Sequence, residues 1–122
     1  MTALHAAALL IFLLGLSHSV LGERFILVRL FRRDNLPKLF GGTEFTVRTL
    51  RFAWHITTVA WWGIAVLLWT AASGNPSRTS VLTVLGYTLV LSGILPLALT
   101  RGRHLSWLVL FLSGGLVLWC AA

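Results

Sequence analysis

Arg48-Thr49-Leu50-Arg51-Phe52-Ala53-Trp54-His55-Ile56-Thr57-Thr58-Val59-Ala60-Trp61-Trp62 begins polar and ends apolar. It then runs, without a charge, to about Ala72. At helical spacing Arg48, Arg51, His55, Thr58, Trp62, Ala65 and Trp69 share one face. A helix that carries arginine and histidine at its head and only apolar residues beyond reads as a membrane span entered from a polar side. That reading extends to the whole chain. Of its 122 residues 57% are hydrophobic and only 11% charged, and the mean hydropathy is +0.89. A soluble domain carries about 25% charged residues. So short a chain has no water-soluble core large enough for this much apolar surface, so the apolar surface belongs in lipid.

Working outward, four stretches without Asp, Glu, Lys or Arg approach the roughly 20 apolar residues that cross a bilayer. They are 2–22, 52–72, 79–100 and 105–122. The expected fold class is an all-α integral membrane protein in one domain, 1–122. It is an antiparallel bundle of four transmembrane helices with a basic, partly helical cytoplasmic loop over 23–51. The short turns Ser73-Gly74-Asn75-Pro76 and Thr100-Arg101-Gly102-Arg103 make spans two, three and four antiparallel neighbours, so a compact bundle is the simplest arrangement. The first span is read as retained. No basic residue precedes it, as a signal peptide's leading region would require.

Charge gives the orientation. Arg24, Arg29, Arg32, Arg33, Lys38, Arg48 and Arg51 fall between spans one and two, Arg101 and Arg103 between three and four, and only Arg78 between two and three. The positive-inside rule then places nine basic residues in the cytoplasm and both termini outside, in an inner membrane of bacterial type. The net charge of +7 suits anionic headgroups at that face, at roughly 1 kcal/mol per basic residue. Nucleic acid is not an expected partner, because the basic residues sit in loops between apolar runs. A second copy or another membrane protein is the further partner class. Cys120 is the only cysteine, so no internal disulfide forms.

Local signals refine the loop. Glu23–Arg33 reads as helical, either continuing the first helix or lying in the headgroup plane. Pro37 disfavours helix at Leu36, Gly41-Gly42 breaks the chain, and Thr43 with Glu44 has the form of a helix N-cap. Ala8, Gly15, Ser19 and Gly22 form a small-residue stripe suited to close helix contact. Trp54, Trp69, Trp107 and Trp119 fall at the two expected interfaces as anchors.

Chemistry concentrates at the cytoplasmic end of spans one and two. His18 and His55 lie at similar depth, with Glu23 and Arg51 as a pair beside them. Intramembrane ionisable groups are costly and face the bundle interior. Three readings of this set follow. In the first, Glu23 pairs with Arg51 and the histidines hydrogen-bond across the helices. In the second, Arg48 and Arg51 hold an anionic group, with Thr58 and Trp62 as the floor of the pocket. In the third, His18 and His55 ligate haem, or Glu23 joins them on a transition metal. No cofactor is required by the first two. Ser19 has a histidine nearby in sequence but no orienting carboxylate, so no catalytic residue is assigned. A mid-span charge for ion relay is lacking, so transport is expected only from an oligomer. The expected role is a non-enzymatic accessory or binding protein, with a redox or metal protein as the alternative.

Overall fold

The computed structural model describes residues 2–122. It is an all-α bundle of four helices: α1 Ala3–Leu30, α2 Glu44–Ala72, α3 Arg78–Thr100 and α4 Ser106–Trp119. The first three are long and apolar enough to cross a membrane. The fourth is not. Its 14 residues rise only about 21 Å, against a hydrocarbon core of about 30 Å. The expected span over 105–122 is found as a shorter helix inside those bounds, whose closing turn still brings the Cys120 carbonyl to Arg78 at the start of α3. The His104 ring bonds Ser106, which holds the first residues in a turn, and Cys120–Ala122 leave the helix in a closing turn.

Capping marks the start of α1. The Thr2 hydroxyl accepts from the His5 N–H, and the His5 ring reaches back to the Thr2 N–H. This is a capping box with histidine in the place of the usual glutamate. Near its other end, Gly22–Leu27 winds as a π-helix, with the Val28 N–H bonded to the Glu23 carbonyl five residues back. The first connection therefore begins as a continuation of α1. Thr43 holds the N-cap position of α2 without making a cap bond. Its helical φ and ψ of −90° and −7° are not the extended geometry a capping hydroxyl needs. Thr46 ties the loop down instead, donating to the Pro37 carbonyl at 2.8 Å.

Small residues set the packing. On α1, Ala8, Gly15 and Gly22 are buried. A methyl group at Gly15 would lie 2.8 Å from the Trp62 indole nitrogen, and one at Gly22 would overlap the Trp54 ring. Between α3 and α4 the backbones nearly touch: a Cβ at Gly114 would stand 3.0 Å from the Gly86 carbonyl. Membrane helices associate through such close contacts because lipid removes the hydrophobic drive between them.

The bundle is open rather than compact. Among the described residues, α1 packs on α2, α2 on α3 and α3 on α4, and no helix packs on one further along the chain. Ala8, Leu27, Phe52 and Ala65 are the buried hydrophobic residues. Most of the long apolar side chains of α1 point outward, Leu10, Leu13 and Val20 among them.

Candidate functional site

The polar residues of α1 and α2 meet along the seam between the two helices. Glu23 and Ser19 are four residues apart on α1, and so are Arg51 and His55 on α2, so the pairs face each other turn for turn. Arg51 grips Glu23 with two nitrogens, Nη2 to Oε1 at 3.0 Å and Nε to Oε2 at 3.3 Å. The Arg51 guanidinium also lies over the Phe31 ring at 4.9 Å. His55 Nε2 is 3.1 Å from Glu23 Oε2. Its Nδ1 is 2.8 Å from the Ser19 hydroxyl, which is 2.8 Å from Thr58 Oγ1. Thr58 reaches the Gly15 carbonyl at 3.2 Å.

Hydrogen-bond chemistry allows this chain two directions, one for each protonation state of His55. An ionised carboxylate only accepts, so His55 Nε2 donates to Glu23. In neutral His55, Nδ1 then accepts from Ser19, and Ser19 accepts from Thr58. Every donor points toward Glu23. With His55 protonated, Nδ1 donates to Ser19, Ser19 to Thr58, and Thr58 to Gly15. Both arrangements satisfy every side chain, which matters because an unpaired buried polar group costs about 1–3 kcal/mol. The seam is thus a polar ladder climbing from the solvent-accessible Glu23–Arg51 pair, each about one-third exposed, to the buried Thr58.

His18 belongs to a different cluster. Its ring stacks on Trp54 at 4.4 Å and 3° and meets the edge of Trp61. Its Nε2 is 3.0 Å from Thr57 Oγ1 and 3.3 Å from the Trp54 carbonyl. The Trp54 indole returns a bond to the His18 carbonyl at 3.1 Å. Trp54 is therefore a helix-to-helix clasp and not simply an interfacial anchor. Trp62 repeats the device one step deeper, donating to the Phe12 carbonyl at 3.1 Å and stacking on the Phe12 ring. Trp62 and Thr58 both lie against Gly15, and Trp62 lines two grooves that Thr58 does not. Arg48 leaves the group altogether, pairing with Glu44 and reaching the Leu99 carbonyl of α3.

Of the eight residues singled out from sequence, five join one network: Ser19, Glu23, Arg51, His55 and Thr58. His18, Trp62 and Arg48 lie outside it. Haem ligation by His55 would first have to break a bond made by one of its ring nitrogens, and ligation through His18 Nε2 would break its bonds to Thr57 and the Trp54 carbonyl. Among the described residues no group of three His, Cys, Asp or Glu side chains is placed to hold a metal ion. Thr57, Phe31 and the Gly15 carbonyl were missed. The i, i+4 run Gly15–Ser19–Glu23 against Arg51–His55 was the available signal for the last of these.

Ser19, His55 and Glu23 also stand in the order of nucleophile, base and carboxylate. Two departures from a working triad are visible. Thr58 occupies the other side of the Ser19 oxygen, and Ser19 faces the neighbouring helix. The grooves along α1 and α2 pass elsewhere, by Ala8, Trp62 and Trp69 on one side and by His18, Gly22 and Trp54 on another.

Length and hydropathy define the class: a small helical bundle with three candidate membrane-crossing helices. Comparison with known proteins returns no matching family, no similar curated protein and no similar solved structure.

Proposed function

We propose that this chain is a non-enzymatic accessory protein of a cell's inner membrane that works by binding, and that its binding surface is its basic end. The observation that carries this is a division of labour among the polar residues. Those between α1 and α2 are consumed in holding the helices together. The surplus charge lies at the end formed by the 23–51 connection and the α3–α4 link, where nine basic residues meet all three acids. That end faces the cytoplasm, both termini face away from it, and anionic headgroups are its first partner. Supporting this, the opposite end holds only Arg78, which bonds the Cys120 carbonyl. The test is the lipid that copurifies with the protein in mild detergent. Anionic phospholipid should be enriched severalfold over its share of the source membrane, since each basic contact contributes roughly 1 kcal/mol. An unchanged ratio would remove the proposal.

A second reading is favoured by the Ser19–His55–Glu23 order. Here Ser19 attacks an ester carbonyl as its proton passes to His55 Nδ1, the C–O bond to the alcohol breaks as the alcohol takes that proton, water then hydrolyses the acyl-serine, and Glu23 holds the imidazole in the required tautomer. A serine-directed fluorophosphonate is the probe that reads it.

A further inference from the structure

We infer that Arg48, Arg101 and Arg103 form a binding site for a phosphate group at the junction of α2 with the α3–α4 link. The inference rests on the basic end being a binding surface, and it assigns that surface one defined position and one ligand chemistry.

A small pocket opens there, lined by Glu44, Phe45, Arg48, Thr100, Arg101 and Arg103. Three guanidinium-bearing residues reach it from two separate parts of the chain. Only Glu44 opposes them, and it is held by Arg48. Among the described residues Arg101 and Arg103 make no side-chain hydrogen bond and no ion pair. The lining is therefore left with a charge surplus of two, from three arginines and one glutamate. Like charges brought together without a partner repel, and an anion that accepts several N–H groups relieves this. Phosphate fits best, because its oxygens match the planar fork of arginine.

The backbone holds the arginines in place. Arg101 ends α3 in the left-handed region, at φ 54°, where glycine is the preferred residue. The glycine stands one position later, at Gly102, φ 77°. The Gly102 N–H closes the turn on the Leu97 carbonyl at 2.9 Å, and the Trp107 indole donates to the Gly102 carbonyl at 3.2 Å. Arg48 is steadied by the Leu99 carbonyl. His104 wedges the link against α2 through its ring contacts with Phe45 and Phe52. The arginines thus stand on a link braced against two helices.

The surroundings suit a phosphate that carries an acyl chain. Leu105 is 65% exposed and Phe40 83% exposed, and Phe40 shares a groove with Arg103. Phe40 too has a left-handed backbone, φ 54°, at the tip of the Leu39–Gly42 turn. An aromatic residue rarely takes that conformation. Apolar side chains next to unpaired guanidiniums match a phospholipid headgroup with its first methylenes, whereas an aqueous phosphate would use the arginines alone.

The test is native mass spectrometry of the full chain in neutral detergent, titrated separately with short-chain phosphatidylglycerol, short-chain phosphatidylcholine and inorganic phosphate. The variants are Arg101→Gln/Arg103→Gln, the exposed single Arg103→Gln, and Arg32→Gln/Arg33→Gln, which removes the same charge elsewhere on the basic end. Phosphatidylglycerol should bind the wild type in preference to phosphatidylcholine. The Arg101/Arg103 double variant should bind it about tenfold more weakly, as expected for lost charge-assisted hydrogen bonds, and Arg103→Gln should bind with intermediate affinity. The Arg32/Arg33 variant should stay close to wild type. Inorganic phosphate that binds with the same dependence supports the site and makes free phosphate its ligand. Equal loss in the two double variants overturns the site and leaves the basic end as a diffuse binding surface. No preference for phosphatidylglycerol and no phosphate binding in the wild type overturn both.

Discussion

Glu23 is the residue on which the α1–α2 seam converges, accepting from Arg51 twice and from His55 once. Removing either partner leaves the other short of a bond, so the two should be coupled. Glu23→Gln and His55→Ala are each expected to cost about 1–2 kcal/mol, and the double variant less than their sum by about 0.5–1.5 kcal/mol, within the range of interhelical hydrogen bonds in membranes. Thermal unfolding in detergent reads this. In the same samples the non-enzymatic reading expects Ser19 to stay unlabelled by a fluorophosphonate. Labelling at Ser19 that disappears in His55→Ala would establish the nucleophile and retire that reading. The Glu23–Arg51 pair was legible in the sequence, because matched depth on joined antiparallel helices puts the two side by side. The position of His18 was not. It lies about 140° round the helix from Glu23, and only the Trp54 ring stacked on it shows which flank it takes.

At the scale of elements, the tightest fit is α1 against α2 at Gly22. The Trp54 indole lies where any side chain at Gly22 would go, and it is pinned from the other face by His18. Gly22→Ala should therefore destabilise by about 1–3 kcal/mol, the usual cost of overpacking, while Gly115→Ala on α4, with open space around it, should leave stability unchanged. Equal midpoints for the two variants would show that the seam yields easily. The small-residue stripe of α1 was readable from spacing alone, because Ala8, Gly15, Ser19 and Gly22 repeat at helical intervals. The π-helical turn was not. It depends on an i to i−5 bond between Val28 and Glu23 that no local propensity announces, and it accompanies burial of Leu27 and placement of Phe31 beneath Arg51.

For the whole molecule, hydropathy was enough to find the helices, since lipid demands long apolar runs wherever a chain crosses it. It did not reveal that α4 stops at 14 residues, because Leu105 and Cys120-Ala121-Ala122, which the helix leaves out, are themselves apolar. The charge asymmetry makes a prediction at this scale. A reporter that is active only outside the cytoplasm, fused after Ala122, should be active, and the same reporter inserted between Asp34 and Asn35 should be silent. The reverse pattern would invert the bundle and move the phosphate site to the other leaflet.

Because, among the described residues, each helix packs only on its chain neighbours, the order of contacts is also the order of synthesis. When α2 has left the ribosome, every partner of the Glu23 network already exists: Gly15, Ser19, Arg51, His55 and Thr58 all lie within the first 72 residues. The α1–α2 hairpin has nothing later to wait for, and α3 and then α4 add to a finished edge. Contacts between sequence neighbours are the quickest to form, and a polar group that meets its partner early spends little time unsatisfied in hydrocarbon. The arginine pocket is the exception. It joins Arg48 to Arg101 and Arg103, so it closes only when the α3–α4 link arrives, after the hairpin and before α4.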